Sequence, residues 1–88
     1  MTETPRHPGT EHLLNLLRSS DGALEKVRTQ GRQALTTEEK VLGSCNYTAQ
    51  EVAGYLADGP ELSAGLRHLL EARDCFARQA QIDARGQG

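Results

Sequence analysis

The sequence has few aromatic residues and no tryptophan. Tyr47, Tyr55 and Phe76 are its only aromatic side chains in 88 residues. A chain of this length builds one small hydrophobic core, and such cores often gain from oligomerisation. We therefore expect a single domain with a thin core of leucine, valine and alanine, and a protein that forms homo-oligomers.

Long apolar runs are also missing. No stretch is long enough to span a bilayer, and the first residues lack the charged-then-apolar pattern of a secretory signal. We expect a cytoplasmic protein with no membrane association. Cys45 and Cys75 are then free thiols, because reducing compartments disfavour disulfides. There is no C-x-x-C pair, so we predict no metal site, and nothing in the sequence indicates a cofactor.

The charge balance is slightly acidic, with 10 Lys and Arg against 12 Asp and Glu, a net charge of -2. This balance argues against a nucleic-acid partner, because proteins that bind phosphate backbones present a basic surface. No G-x-x-x-x-G-K loop occurs, and no serine or cysteine stands in a recognisable motif with a histidine and a carboxylate. We predict that the protein is not an enzyme.

Apolar residues recur with helical spacing, and no segment alternates with period two. The prediction is an all-α fold, a small bundle of four or five helices with a long C-terminal amphipathic helix. Residues 1–9 are expected to be a flexible arm, 10–85 a single helical domain and 86–88 a disordered tail. Thr10 is expected to cap the first helix, and the second is expected at about 23–34.

Two capping-box motifs, Thr36-Thr37-Glu38-Glu39 and Thr48-Ala49-Gln50-Glu51, follow the second predicted helix. Each fits S/T-x-x-E, so two short helices are expected, the first of them ending at Gly43. Gly31 lies on the apolar side of the second predicted helix, where a residue without a side chain indicates close helix packing. Pro60 suits the first position of the last helix.

The segment Leu35-Thr36-Thr37-Glu38-Glu39-Lys40-Val41-Leu42, with 48–56 after it, resembles the start of helix-turn-helix regulators such as sigma factors and response regulators. The resemblance implies a DNA-binding regulator. The sequence departs from that pattern in the following helix, which begins Glu61-Leu62-Ser63-Ala64 rather than with residues that read base edges. Residues 58–85 also carry no basic excess.

The last helix carries the longest apolar face, and Arg73 falls near its centre. The face is a candidate for binding a partner or ligand, and it includes Leu62, Leu66, Leu69 and Phe76.

A guanidinium on an apolar face needs a partner. Three interpretations are open for Arg73. It pairs within the fold, with a carboxylate such as Glu51, Glu25 or Asp21 or with backbone carbonyls. It lies at a seam between copies and sets their register. Or it binds a small anionic ligand, such as a nucleotide, or an acidic partner surface.

The opposite side of the same helix carries Arg67, Arg78 and Arg85, with Glu71 and Asp74 beside them. Such a column is typical of a solvated face with i,i+4 ion pairs, here Arg67–Glu71 and Asp74–Arg78. The alternative is a surface that docks a partner.

Several general features of the chain are similar to those of small accessory proteins of temperate bacteriophages. Its helices are short and capped, its first residues contain two prolines, and it has no catalytic signature. Many such proteins bind and inhibit a host protein or defence system. The resemblance implies a protein–protein interaction module with a host protein as its partner. The alternatives are an oligomeric binder of a small anionic ligand and a helix-turn-helix regulator.

Overall fold

Four α-helices and one 3-10 turn make up most of the protein in a computed structural model, which describes residues 7–86. No strand occurs within that range, so the prediction of an all-α fold with a long final helix is confirmed. The helices are α1 (Pro8–Leu17), α2 (Asp21–Gln30), α3 (Thr37–Tyr55) and α4 (Pro60–Gly86), with the 3-10 turn at Arg32–Ala34.

α3 and α4 form an antiparallel hairpin. The chain turns between Tyr55 and Pro60, and at the other end the Gln81 side chain donates a hydrogen bond of 3.1 Å to the carboxylate of Glu38. At 1.5 Å per residue, α4 is about 40 Å long. It therefore accounts for most of the longest dimension of a molecule that measures 50 × 28 × 17 Å.

α1 lies against this hairpin and runs parallel to α4. Its first turn is beside the start of α4, where the hydroxyls of Thr10 and Ser63 are 3.4 Å apart. Its last turn is beside the middle of α4, where Arg73 reaches the carbonyl oxygen of Leu16.

The hydrophobic core lies where α1, α3 and α4 meet. α1 and α4 supply leucines, whereas α3 supplies small side chains that let the other helices approach closely. Ala49 is completely buried, and Leu17 and Leu66 are almost so. The core residues are Leu13, Leu14, Leu17, Cys45, Ala49, Ala53, Leu62 and Leu66.

α2 lies outside this core. Ala23 is its only buried residue, and Leu24 and Val27 are exposed. Ser20 caps its first turn by accepting a hydrogen bond from the Ala23 N–H. Lys26 joins it to α3 through an ion pair of 2.9 Å with Glu39.

The start of the first helix differs from the prediction. His7, not Thr10, is its N-cap, and the His7 ring nitrogen Nδ1 accepts from the Gly9 N–H. Pro8 occupies the first helical position, where its lack of an N–H costs no hydrogen bond. Thr10 is therefore inside the helix and fully buried. Gly86 is still helical. Residues 1–6 of the predicted arm and 87–88 of the predicted tail lie outside the described residues.

α3 is one helix where two were expected. Thr36 and Glu39 form the predicted capping box, in which each side chain accepts from the other residue's backbone N–H. The second motif lies within the helix, and Gly43 does not end it. A glycine costs an interior helix position about 1 kcal/mol. Burial of Cys45 and Ala49 just beyond Gly43 offsets this cost, since packing of a helix outweighs propensity.

The second helix is shorter than expected, because Gly31 ends it. Gly31 has φ +87°, and its N–H donates to the Val27 carbonyl at 3.0 Å. Glycine adopts positive φ without a steric cost, and it is the residue most often found after the last turn of a helix. The prediction that Gly31 serves close helix packing is therefore wrong.

Two glycine-to-alanine substitutions test these assignments. Gly43→Ala should stabilise the protein by about 0.5–1 kcal/mol, because alanine favours a helix interior and the added Cβ would be 3.8 Å from the nearest side-chain atom, Ser19 Oγ. Gly31→Ala should destabilise it by about 1 kcal/mol, because alanine strains at positive φ. Urea unfolding measures both free energies. A destabilised Gly43→Ala variant would instead support a helix end at Gly43.

Glu39 gives the α3 N-terminus a pH dependence. Hydrogen bonds from the Thr36 backbone and from Lys26 lower the pKa of its carboxyl below the usual value. The stabilisation is therefore present above the unfolded pKa of about 4.3 and is lost as the pH falls through the lowered folded value. Glu39→Gln should destabilise the protein at pH 7 and do so much less at pH 3. A pH-independent difference in urea unfolding would contradict this.

Candidate functional site

Arg73 finds its partners within the fold. Its Nη1 donates to the carbonyl oxygen of Leu16 at 2.6 Å, and its Nε and Nη2 donate to one carboxylate oxygen of Asp74 at 3.2 and 2.9 Å. The Arg73 side chain is 21% exposed, so most of it is covered, although its partners Leu16 and Asp74 lie at the surface.

The bond to Leu16 completes the end of α1. The last four carbonyls of a helix have no intrahelical N–H partner, and a positive charge there interacts favourably with the helix dipole. The last turn of α1 contains no basic residue, so α4 provides the charge through Arg73. Of the three interpretations of Arg73, pairing within the fold is observed. The partners suggested for it, Glu51, Glu25 and Asp21, are wrong.

Both cysteines are free thiols. Burial raises the pKa of the Cys45 thiol, and the positive charge of Arg73 opposes part of that rise. Cys75 is exposed, and Arg78 Nη2 lies 3.3 Å from its sulfur. Nothing in this arrangement assembles a nucleophile with a base, so we assign neither thiol a chemical role.

The apolar face of α4 divides into two parts. Leu62 and Leu66 are buried in the core, so they are not available to a partner. Leu69 is half-buried, and Phe76 is 55% exposed. Among the apolar side chains predicted to bind, Leu69 and Phe76 therefore remain at the surface.

These two residues line a groove between α3 and α4, which we call the α3–α4 groove. Its volume is about 590 Å³. The residues of α3 in it are Thr37, Lys40, Val41, Ser44, Cys45 and Thr48, and those of α4 are Leu69, Phe76, Gln79, Ala80 and Asp83.

The two walls of the α3–α4 groove differ in size and charge. Ser44 and Thr48 on α3 have small side chains, whereas Phe76 on α4 is bulky and projects into solvent. Among the described residues of the lining, Lys40 on α3 and Asp83 on α4 are charged, one of each sign. The groove is therefore mainly apolar, with a cation on one wall and an anion on the other.

The arginine column lies on the surface, as expected, but its ion pairs differ. Arg67, Arg78 and Arg85 are exposed. Glu71 lies 3.2 Å from His68 rather than pairing with Arg67, and Asp74 pairs with Arg73 rather than with Arg78. The predicted i,i+4 pairs are therefore wrong, since each carboxylate has a nearer partner.

The residues on the α3 wall were not identified from the sequence. Thr37, Val41, Ser44 and Thr48 recur at spacings of four, three and four, with Lys40 three residues after Thr37, which is the signal of one helical face. The sequence predicts two short helices here, the first ending at Gly43, so a periodicity that continues through Gly43 was not recognised.

Other kinds of site find no support in residues 7–86. No group of three His, Cys, Asp or Glu side chains there could hold a metal ion. None of the described helices combines the length and the apolar character needed to cross a bilayer. The segment that resembles helix-turn-helix regulators forms a single helix from Thr37 to Tyr55, so the two short helices expected on either side of Gly43 are not separate.

Comparison with protein-family models, with curated proteins and with solved structures finds no match to this chain.

Removal of the Arg73 guanidinium should weaken the fold. Arg73→Met keeps most of the packing volume but leaves the Leu16 carbonyl without this charged donor, so we expect a loss of about 1–2 kcal/mol in the free energy of unfolding. Arg67→Met, at an exposed position on α4, is the matched control and should change it by less than about 0.5 kcal/mol. Equal values for the two variants would show that Arg73 does not hold α1 in place.

Proposed function

We propose that this chain is a non-enzymatic protein–protein interaction module that binds through the α3–α4 groove. The observation that supports this proposal is the half-exposed Phe76 at the edge of a mainly apolar groove of about 590 Å³. Aromatic side chains beside such grooves often supply most of the energy of a protein interface.

The groove suits a protein segment better than a small anion. Lys40 is the one cation that residues 7–86 place in its lining, and Asp83 on the opposite wall would repel an anionic ligand. Arg73, the residue on which the anionic-ligand alternative depended, is engaged with Leu16 and Asp74. We therefore favour a partner that presents apolar side chains.

The more specific expectation, a bacteriophage protein that inhibits a host protein, stays a prediction. It concerns the identity of the partner, and the groove specifies only a partner's chemistry. The test below is therefore carried out in cells of the source organism, where a natural partner is present.

A photoreactive residue in the groove tests the proposal. Gln79 is exposed and lines the groove, so benzoylphenylalanine placed there should cross-link to a bound protein. Position 67 is the control, because it lies about 180° from Phe76 around α4. We expect a cross-linked product from position 79, detected by mass spectrometry. The yield from position 67 should be at least about tenfold lower.

Dependence on Phe76 makes this test specific. Phe76→Ser in the same background should reduce the product about tenfold or more, as for an aromatic residue central to an interface. Ile82→Ser removes another exposed apolar side chain of α4 that does not line the groove, and it should leave the product unchanged. No product from position 79, or equal products from both positions, would contradict the proposal.

A further inference from the structure

We infer that the occupant of the α3–α4 groove is a second copy of this chain, packed face to face about a twofold axis that runs along the groove. The inference rests on the proposed function, because the same surface is used, and it names the partner. The size, the charge and the area of the two walls support it.

The walls are complementary in size to each other. In a symmetric dimer, a contact of one residue with another is repeated in reverse. A twofold axis along the groove places the α4 wall of each copy over the α3 wall of its partner. The bulky Phe76 of one chain then covers the small Ser44 and Thr48 of the other, and this happens twice.

The same axis pairs the charges. Lys40 is the fourth residue of α3 and Asp83 is the fourth from the end of α4, so in the antiparallel hairpin both lie near the same end of the groove. Lys40 has no ionic partner among residues 7–86, and Asp83 accepts a hydrogen bond from Gln79. In the dimer, each Lys40 reaches the Asp83 of the partner copy.

A twofold axis across the groove gives a poorer fit. It would place α3 over α3 and α4 over α4, so Phe76 would face the α4 wall of the partner copy and not the small Ser44 and Thr48. Packing without voids therefore favours a twofold axis that runs along the groove.

The area is sufficient for a specific dimer. The hairpin face is about 28 Å long, from the 19 residues of α3, and about 20 Å wide for two adjacent helices. Two such faces cover about 1,100 Å² in total, just above the roughly 1,000 Å² that a specific interface requires.

Charge reversal and mixing test the geometry. The dimer contains two crossings, at each of which position 40 of one copy meets position 83 of the other. Lys40→Glu places two carboxylates together at each crossing, and Asp83→Lys places two ammonium groups together. Each variant alone should dimerise about tenfold more weakly than the wild type. An equimolar mixture should recover wild-type affinity, because both crossings in the mixed dimer join opposite charges. Sedimentation equilibrium measures the mass against the 9.6 kDa of one chain.

The variants should fold normally, because each places its new charge at the helix end that favours it. Lys40→Glu adds a negative charge in the first turn of α3, and Asp83→Lys adds a positive charge in the last turns of α4. Circular dichroism checks this. Arg67→Glu, on the exposed side of α4, makes the same change in charge as Lys40→Glu and should alter the dimer affinity less than about twofold.

Three outcomes would overturn the dimer. They are a wild-type mass of one chain at millimolar concentration, a dimer insensitive to either charge reversal, and a mixture no tighter than its components. Cross-linking at position 79 separates this failure from failure of the proposed function. A monomeric protein that cross-links to a different protein retains the function and loses the dimer, whereas a monomer with no product at position 79 loses both.

Discussion

The hydrogen bond between Arg73 and the Leu16 carbonyl joins the end of α1 to the middle of α4, beside the core that α1 helps to form. A ten-residue helix is marginal in water by itself, so α1 depends on burial of its apolar face, and contacts at both its ends add to this. At the first end, the His7 N–H donates to the Asp58 carboxylate at 2.7 Å. At the last end, Arg73 provides the charge that the last turn of α1 lacks. Between these two points, Leu13, Leu14 and Leu17 are buried against α3 and α4.

The distribution of small and large residues along α3 explains both the core and the groove. Cys45, Ala49 and Ala53 face the core, and their small size brings α3 close to its neighbours. Ser44 and Thr48, also small, line the groove and leave room beside Phe76. A thin core of this kind buries little apolar surface per residue. Covering an exposed aromatic side chain therefore adds a larger share of the total stability here than it would in a protein with a large core.

Local signals in the sequence predicted the helices well where a single motif decides the structure. The capping box at Thr36 and the start of α4 at Pro60 are as expected. The sequence could not show that α3 continues through Gly43, because burial on α1 and α4 decides that. It located Arg73 as the unusual residue of α4 but not its partner. A backbone carbonyl has no sequence signature, and α1 is 57 residues away along the chain.

The position of α2 outside the core determines which part of the protein unfolds most easily. Segments with few buried contacts detach at a lower free energy than the segments of the core. α2 buries Ala23 alone and is joined to α3 through Lys26 and Glu39. Glu39 also closes the capping box of α3, so one carboxylate serves both elements. The chain therefore contains a unit that can unfold locally while the three core helices stay assembled, and its release would free Glu39 to serve the α3 cap alone.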